Sequence, residues 1–139
     1  MSMSNKTKGN YFRDYAKCIL SKVLNSKLEP EKKISIGNPM KDHAFDLVSK
    51  DKSIVIECKN YTWTKAGRTP SGKISTINEA VLYLSFLDTN VQKILCLMKS
   101  ENPKSNETLA EYYVKTYGYL LRDIKVYEIE EDEIVKKLR

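Results

Sequence analysis

The chain has 139 residues, of which 41% are hydrophobic and 30% are charged, and it carries a formal net charge of +6 at pH 7. This length and composition are typical of one soluble domain with a core of its own. The apolar runs are far shorter than the ~20 residues that span a bilayer, and the first residues lack the apolar block of a signal peptide. We therefore expect a cytoplasmic protein without a membrane partner.

Cysteine and histidine content excludes several kinds of chemistry. Cys18, Cys58 and Cys96 are odd in number and widely spaced, so the sequence predicts neither a disulfide framework nor a zinc site. His43 is the only histidine, which excludes mechanisms that need two imidazoles.

Hydrophobic periodicity divides the chain into helices and strands. Residues 1–8 are expected to form a disordered N-terminal tail, and residues 9–139 a single domain. In chain order we predict a helix over 9–25, strands over 33–37, 43–48 and 53–59, a helix over 74–87, a strand over 91–98, a helix over 107–121, a strand over 124–129, and a short terminal helix after the acidic residues 130–133. The predicted fold class is α/β, a central mixed β-sheet flanked by helices in the order αβββαβαβ.

The stretch 46–59 contains the residues that point to a function. Apolar and polar residues alternate at both of its ends, and the polar cluster 49–53 is a turn signal, so we predict a hairpin. A turn centred in that cluster places Asp46 directly opposite Glu57. Glu57 and Lys59 are two residues apart on one strand and leave the same face. Two carboxylates and one ammonium group are therefore predicted to converge on one surface, with a donor set that suits Mg²⁺.

Asp46 followed by Glu57-x-Lys59 resembles the PD-(D/E)xK nuclease superfamily, although Phe45 stands where that family has a proline. The resemblance implies a restriction-endonuclease-like core and a metal-dependent nuclease that hydrolyses phosphodiester bonds, of DNA more than of RNA. It implies catalytic roles for Asp46, Glu57 and Lys59. It also implies that Asp46, Glu57 and the backbone carbonyl of Cys58 hold Mg²⁺, with Mn²⁺ as an alternative.

Two further acids are candidates for supporting the metal. The resemblance implies a metal-supporting acid on the first predicted helix, where Asp14 is the candidate, but Asp14 points away from the apolar stripe, which favours a solvated helix face. Glu79 completes the pattern Thr76-x-x-Glu79, which fits a capping box and gives Glu79 a structural role first.

A polar and basic loop over residues 60–73 follows the predicted site. The excess of basic over acidic residues also lies in the first half of the chain, as expected for a protein with a polyanionic substrate. We predict nucleic-acid contacts for Trp63, Lys65, Arg68 and Lys73. The resemblance to the nuclease superfamily implies the same role for Asn78 near the start of the next helix. The alternative for Trp63 is a core or interface aromatic.

The predicted helix 74–87 is apolar on both sides, which is typical of a buried or interface helix and predicts a homodimer. Two other functions stay open at this point. The chain could be a nucleic-acid-binding module that keeps the fold without cutting, or a protein-interaction module whose site is vestigial.

Overall fold

The computed structural model describes residues 5–132 and 135–139, which form one open six-stranded mixed sheet with three helices. The helices are α1 (Asn5–Val23), α2 (Ser71–Ser85) and α3 (Leu109–Leu121). The strands are β1 (Leu28–Ile36), β2 (Lys41–Ser49), β3 (Ile54–Lys59), β4 (Gln92–Met98), β5 (Lys125–Ile129) and β6 (Val135–Lys137). The predicted α/β class and mixed sheet are confirmed.

The strands lie in the sheet in chain order. β1, β2 and β3 pair antiparallel, β3, β4 and β5 pair parallel, and β6 returns antiparallel to β5. Each parallel pair needs a crossover connection, and α2 and α3 supply them. The predicted terminal helix is wrong: residues 135–137 add a strand to the sheet edge, while residues 133–134 lie outside the described part.

Two apolar layers cover the two faces of the sheet. Val55, Leu95 and Val126 belong to the cluster under α2 and α3. Ile56 and Ile94 belong to the cluster under α1. Because consecutive strand residues point to opposite faces, buried strands covered on both faces read as continuous apolar runs, which is what β3 and β4 show.

β1 is longer than predicted, since it begins at Leu28 rather than at residue 33. Pro30 lies inside it, which an edge strand tolerates because one side of its backbone has no strand partner. Glu31 has a φ of 54°, a conformation that interrupts the regular strand at that residue.

β2 changes the face that it presents to each apolar layer opposite Glu31. Leu47 packs in the α1 cluster, whereas Phe45, two residues earlier, packs in the α2 and α3 cluster. A regular strand would keep these two side chains on one face. Asp46 therefore sits at the point where β2 switches faces, across from Glu31 of β1.

The helix starts also differ from the prediction. α1 begins at Asn5, so residues 5–8 are helical rather than part of a tail, and residues 1–4 lie outside the described part. Thr76 lies within α2, where its hydroxyl donates to the carbonyl of Lys73 at 2.7 Å, so the predicted capping box there is wrong. The capping box belongs to α3, where Thr108 and Glu111 each accept from the other's backbone N–H.

Within the described ranges, no helix is long and apolar enough to span a membrane.

Candidate active site

The hairpin register brings the predicted site residues together. Leu47 pairs with Ile56 and Val48 with Val55, which is the predicted register and places Asp46 across from Glu57. Side chains then join the two strands where regular pairing ends. The N–H of Cys58 donates to Oδ2 of Asp46 at 2.8 Å, and the N–H of Asp46 donates to Oε1 of Glu57 at 3.4 Å.

Glu57 is a buried carboxyl with only 5% of its surface exposed. Burial raises its pKa well above the ordinary value, and the negative charge of Asp46 raises it further, while the positive charge of Lys59 opposes both effects. The structure thus holds two carboxyl groups against their mutual repulsion. A cation beside them would relieve that repulsion.

His43 contacts the same carboxylate, a contact that the local sequence does not indicate. Its Nε2 lies 3.7 Å from Oε1 of Glu57, and its ring stacks on Tyr83 of α2 with centroids 3.9 Å apart. Burial lowers the pKa of His43, against the opposing effect of Asp46. The imidazole is therefore neutral at pH 7. Lys59, rather than His43, supplies the positive charge that opposes the rise in the pKa of Glu57.

A cleft of about 790 Å³ opens beside the carboxylates. Asp46, Cys58 and Lys59 line one wall, whereas the buried Glu57 is not among the lining residues. The other walls come from α1 and from the loop after β3: Lys8, Gly9, Asn10, Tyr11, Arg13, Asn60, Tyr61, Thr62, Trp63, Thr64, Pro70 and Lys73.

The predicted nucleic-acid contacts separate into two groups. Lys73 lines the cleft, with its Nζ 5.0 Å from the ring centre of Tyr61. Lys65 and Arg68 are exposed on the loop but are not among the cleft-lining residues. Asn78 accepts a 2.7 Å hydrogen bond from the hydroxyl of Tyr113, so it ties α2 to α3.

Trp63 reaches the cleft wall but is only 8% exposed. It packs in the core under α2 and α3, edge-on to Tyr112 at 5.2 Å between ring centres. The structure thus favours the core aromatic among the two roles considered for this residue.

Neither supporting acid enters the cleft. Asp14 is exposed and pairs with Arg13 at 3.2 Å, and Arg13 also reaches Glu31 at 3.0 Å. Glu79 is exposed on α2, and its negative charge makes the smallest of the contributions to the pKa of His43.

Cys58 offers the site a backbone carbonyl rather than a thiol. Its side chain is buried on the α1 side of the sheet, and a hydrogen bond with Cys96 together with burial raises the pKa of the thiol well above its ordinary value. A neutral buried thiol is a poor nucleophile and a poor ligand.

A metal ion at this site would be coordinated by few side chains. In the part of the chain that the structure describes, no group of three or more His, Cys, Asp and Glu residues is arranged to hold an ion. Asp46, Glu57 and the Cys58 carbonyl offer two carboxylates and one peptide oxygen. Mg²⁺ suits such a set, since it commonly takes one or two protein carboxylates and keeps several waters.

Sequence reasoning missed the residues that α1 contributes to the cleft: Lys8, Asn10, Tyr11 and Arg13. The helix was expected to cover the sheet with its apolar stripe. The residues of α1 next to that stripe could have indicated the contact, because they lie at the edge of the surface where the helix covers the sheet. His43 offered no such signal, since its contact with Glu57 depends on the packing of α2.

Comparisons of the chain with protein-family models, with curated proteins and with solved structures find no match. A functional assignment for this protein must therefore come from the geometry and chemistry of the cleft itself.

Proposed function

We propose that this protein is a metal-dependent nuclease that hydrolyses phosphodiester bonds of nucleic acid, DNA in preference to RNA. The observation that carries the proposal is the contact between Asp46 and Glu57, two carboxyl groups held together beside Lys59 at a basic cleft. A pair of like charges is costly to bury. A functional reason for keeping it is a divalent cation that both charges bind.

Asp46, Glu57 and the backbone carbonyl of Cys58 would hold Mg²⁺ or Mn²⁺. When bound, such an ion lowers the pKa of a coordinated water and neutralises charge that develops on the scissile phosphate. The hydrogen bond from the Cys58 N–H fixes the Asp46 carboxylate before substrate arrives. This is preorganisation, because the side chain pays no ordering cost during the reaction.

Lys59 acts on the substrate side of the site. It is half-buried and lines the cleft with Asp46, so its ammonium group can meet a phosphate oxygen of the bound strand. There it orients the attacking water or stabilises the negative charge of the transition state. Its charge also offsets the repulsion at Glu57 in the free protein.

Two further proposals concern the cellular location of the protein and its oligomeric state. We propose that the protein works in the cytoplasm. We also propose that it forms a homodimer through α2, because Leu82 of that helix and Phe86 at its C-terminal cap are 54% and 51% exposed. Light scattering at tens of micromolar tests the dimer. A monomer of 16.0 kDa at that concentration excludes it.

The nuclease proposal is tested by incubating the protein with linear, nicked, branched and single-stranded DNA, and with RNA, in Mg²⁺ or Mn²⁺. The expected result is metal-dependent cleavage that the substitution Lys59→Ala slows roughly 100-fold. Binding with a steep salt dependence but without product would instead identify a nucleic-acid-binding module. Cleavage that persists unchanged in the variant would come from a contaminant.

A further inference from the structure

The cleft beside Asp46 has a charge unlike that of the surface around it. Four cationic side chains line it, those of Lys8, Arg13, Lys59 and Lys73, against one acid, Asp46. Among the described residues, Lys8, Lys59 and Lys73 form no ion pair with a carboxylate. Three ammonium groups are thus available for phosphate oxygens.

Acidic side chains bound this positive strip on two sides. A second cleft adjoins the first through the shared residues Asn60 and Thr62, and it is lined by Glu101, Glu130, Glu131 and Asp132 against one cation, Lys99. On the α1 side, Arg13 is already paired with the exposed Asp14 and Glu31. Carboxylates therefore border the cationic lining of the cleft on these two sides.

Aromatic rings stand beside the cations in the cleft. Tyr11 of α1 is 68% exposed at its rim, and Tyr61 is half-buried in its wall, with Lys73 above the ring. Cationic groups interleaved with exposed rings are the arrangement by which proteins hold unpaired strands, because the phosphates meet the charges while bases stack on the rings. Paired bases in a duplex present no free face to Tyr11.

We propose that the cleft receives its nucleic acid as a single strand, with one backbone along Lys8, Lys59 and Lys73 and with a base stacked on Tyr11. This inference rests on the proposed function, since it names the form of the substrate at the same site. A duplex carries a second backbone, whose phosphates would face the carboxylates that border the cleft.

Binding and cutting are measured separately. Binding uses fluorescence anisotropy with the full chain in EDTA, a labelled single-stranded deoxyoligonucleotide, and the same oligonucleotide annealed to its complement. The single strand is expected to bind at least tenfold more tightly than the duplex. Tyr11→Ala is expected to weaken single-strand binding by roughly five- to 150-fold, the range for loss of one base–aromatic stack. Tyr119→Ala is the matched control, because Tyr119 is 77% exposed on α3 outside the cleft.

Equal or tighter duplex binding overturns the inference, as does a Tyr11→Ala variant that binds like Tyr119→Ala. A thermal melt of each variant establishes that it is folded. Cleavage in Mg²⁺ then tests the nuclease proposal separately. Tight single-strand binding without any cut product would support the strand preference and contradict the nuclease proposal. Preferential cutting of the duplex would contradict the strand preference and support the nuclease proposal.

Discussion

The backbone N–H of Cys58 donates a 2.8 Å hydrogen bond to the carboxylate of Asp46, which joins β3 to β2 where their regular pairing ends. The bond fixes the Asp46 side chain beside Glu57 and at the wall of the cleft. The position of the acid is therefore set by the hairpin rather than by a ligand.

The substitution Asp46→Asn removes the negative charge of this residue but can keep its hydrogen bond with the N–H of Cys58. The amide oxygen can still accept from Cys58, so the fold should be retained, as a far-ultraviolet circular dichroism spectrum checks. Loss of the negative charge should slow cleavage by roughly 100-fold or more, since metal catalysis is worth several kcal/mol. A variant that is folded and fully active would show that Asp46 is only a hairpin residue.

Glu57→Gln should stabilise the metal-free protein at neutral pH. The raised pKa of Glu57 means that the folded state loses stability as pH rises from the unfolded pKa through the folded one. Glutamine keeps the shape without the charge, so urea denaturation in EDTA at pH 7 should show a gain on the order of 1 kcal/mol. Destabilisation at that pH would instead show that the carboxylate serves a structural ion pair.

Mg²⁺ should stabilise the wild-type chain through the same carboxylates. A ligand that binds only the folded state at 100 times its Kd adds about 2.7 kcal/mol to the free energy of unfolding. Denaturation curves at increasing Mg²⁺ measure this gain. Asp46→Asn should show a much smaller one, and an equal gain in the variant would place the ion elsewhere.

Asp51 in the hairpin turn should titrate at unusually low pH. Its carboxylate accepts from the N–H and the hydroxyl of Ser53 and from the hydroxyl of Ser49, which lowers its pKa to about 2. Because the folded pKa is depressed, these bonds stabilise the turn above about pH 4 and are lost as pH falls through about 2. A carboxyl-carbon NMR titration checks the value. A midpoint at the ordinary value of 3.8 would contradict the hydrogen bonds.

Thr108→Ala should destabilise the protein by about 1 kcal/mol, because it removes the N-cap of α3. Thr76→Ala is the matched control inside α2, where the hydroxyl bonds only to carbonyls of the preceding turn. That substitution should cost far less, since such bonds add little to a helix and alanine has the higher helix propensity. Urea denaturation of both variants compares them, and equal losses would contradict the assignment of the capping box.

The hairpin register was predictable because the polar cluster 49–53 fixes the centre of the turn, and residues at equal distances from that centre pair with each other. The facing of Asp46 and Glu57 follows directly. The α/β class was predictable for a similar reason, since buried strands and amphipathic helices follow one another along the chain.

Other features depend on contacts between distant segments. Trp63 lies in a polar, basic loop, yet Ser100 and Tyr112 hold it in the core. The local pattern Thr76-x-x-Glu79 fits a capping box as well as Thr108-x-x-Glu111 does. Because α2 already begins at Ser71, Thr76 lies inside the helix, whereas Thr108 is the N-cap of α3. Tertiary packing overrides local signals at these positions.

The decisive measurement is the single-turnover cleavage rate of a single-stranded oligonucleotide in Mg²⁺, for the wild type, Lys59→Ala and Lys50→Ala. Lys50 is an exposed lysine of the same hairpin at the opposite end from the cleft, so it controls for loss of a charge. The wild type and Lys50→Ala should cut at the same rate, and Lys59→Ala roughly 100-fold more slowly. Equal rates for all three proteins, or no Mg²⁺-dependent cutting by the wild type, would contradict the assignment of Asp46, Glu57 and Lys59 as a phosphodiester-cleaving site.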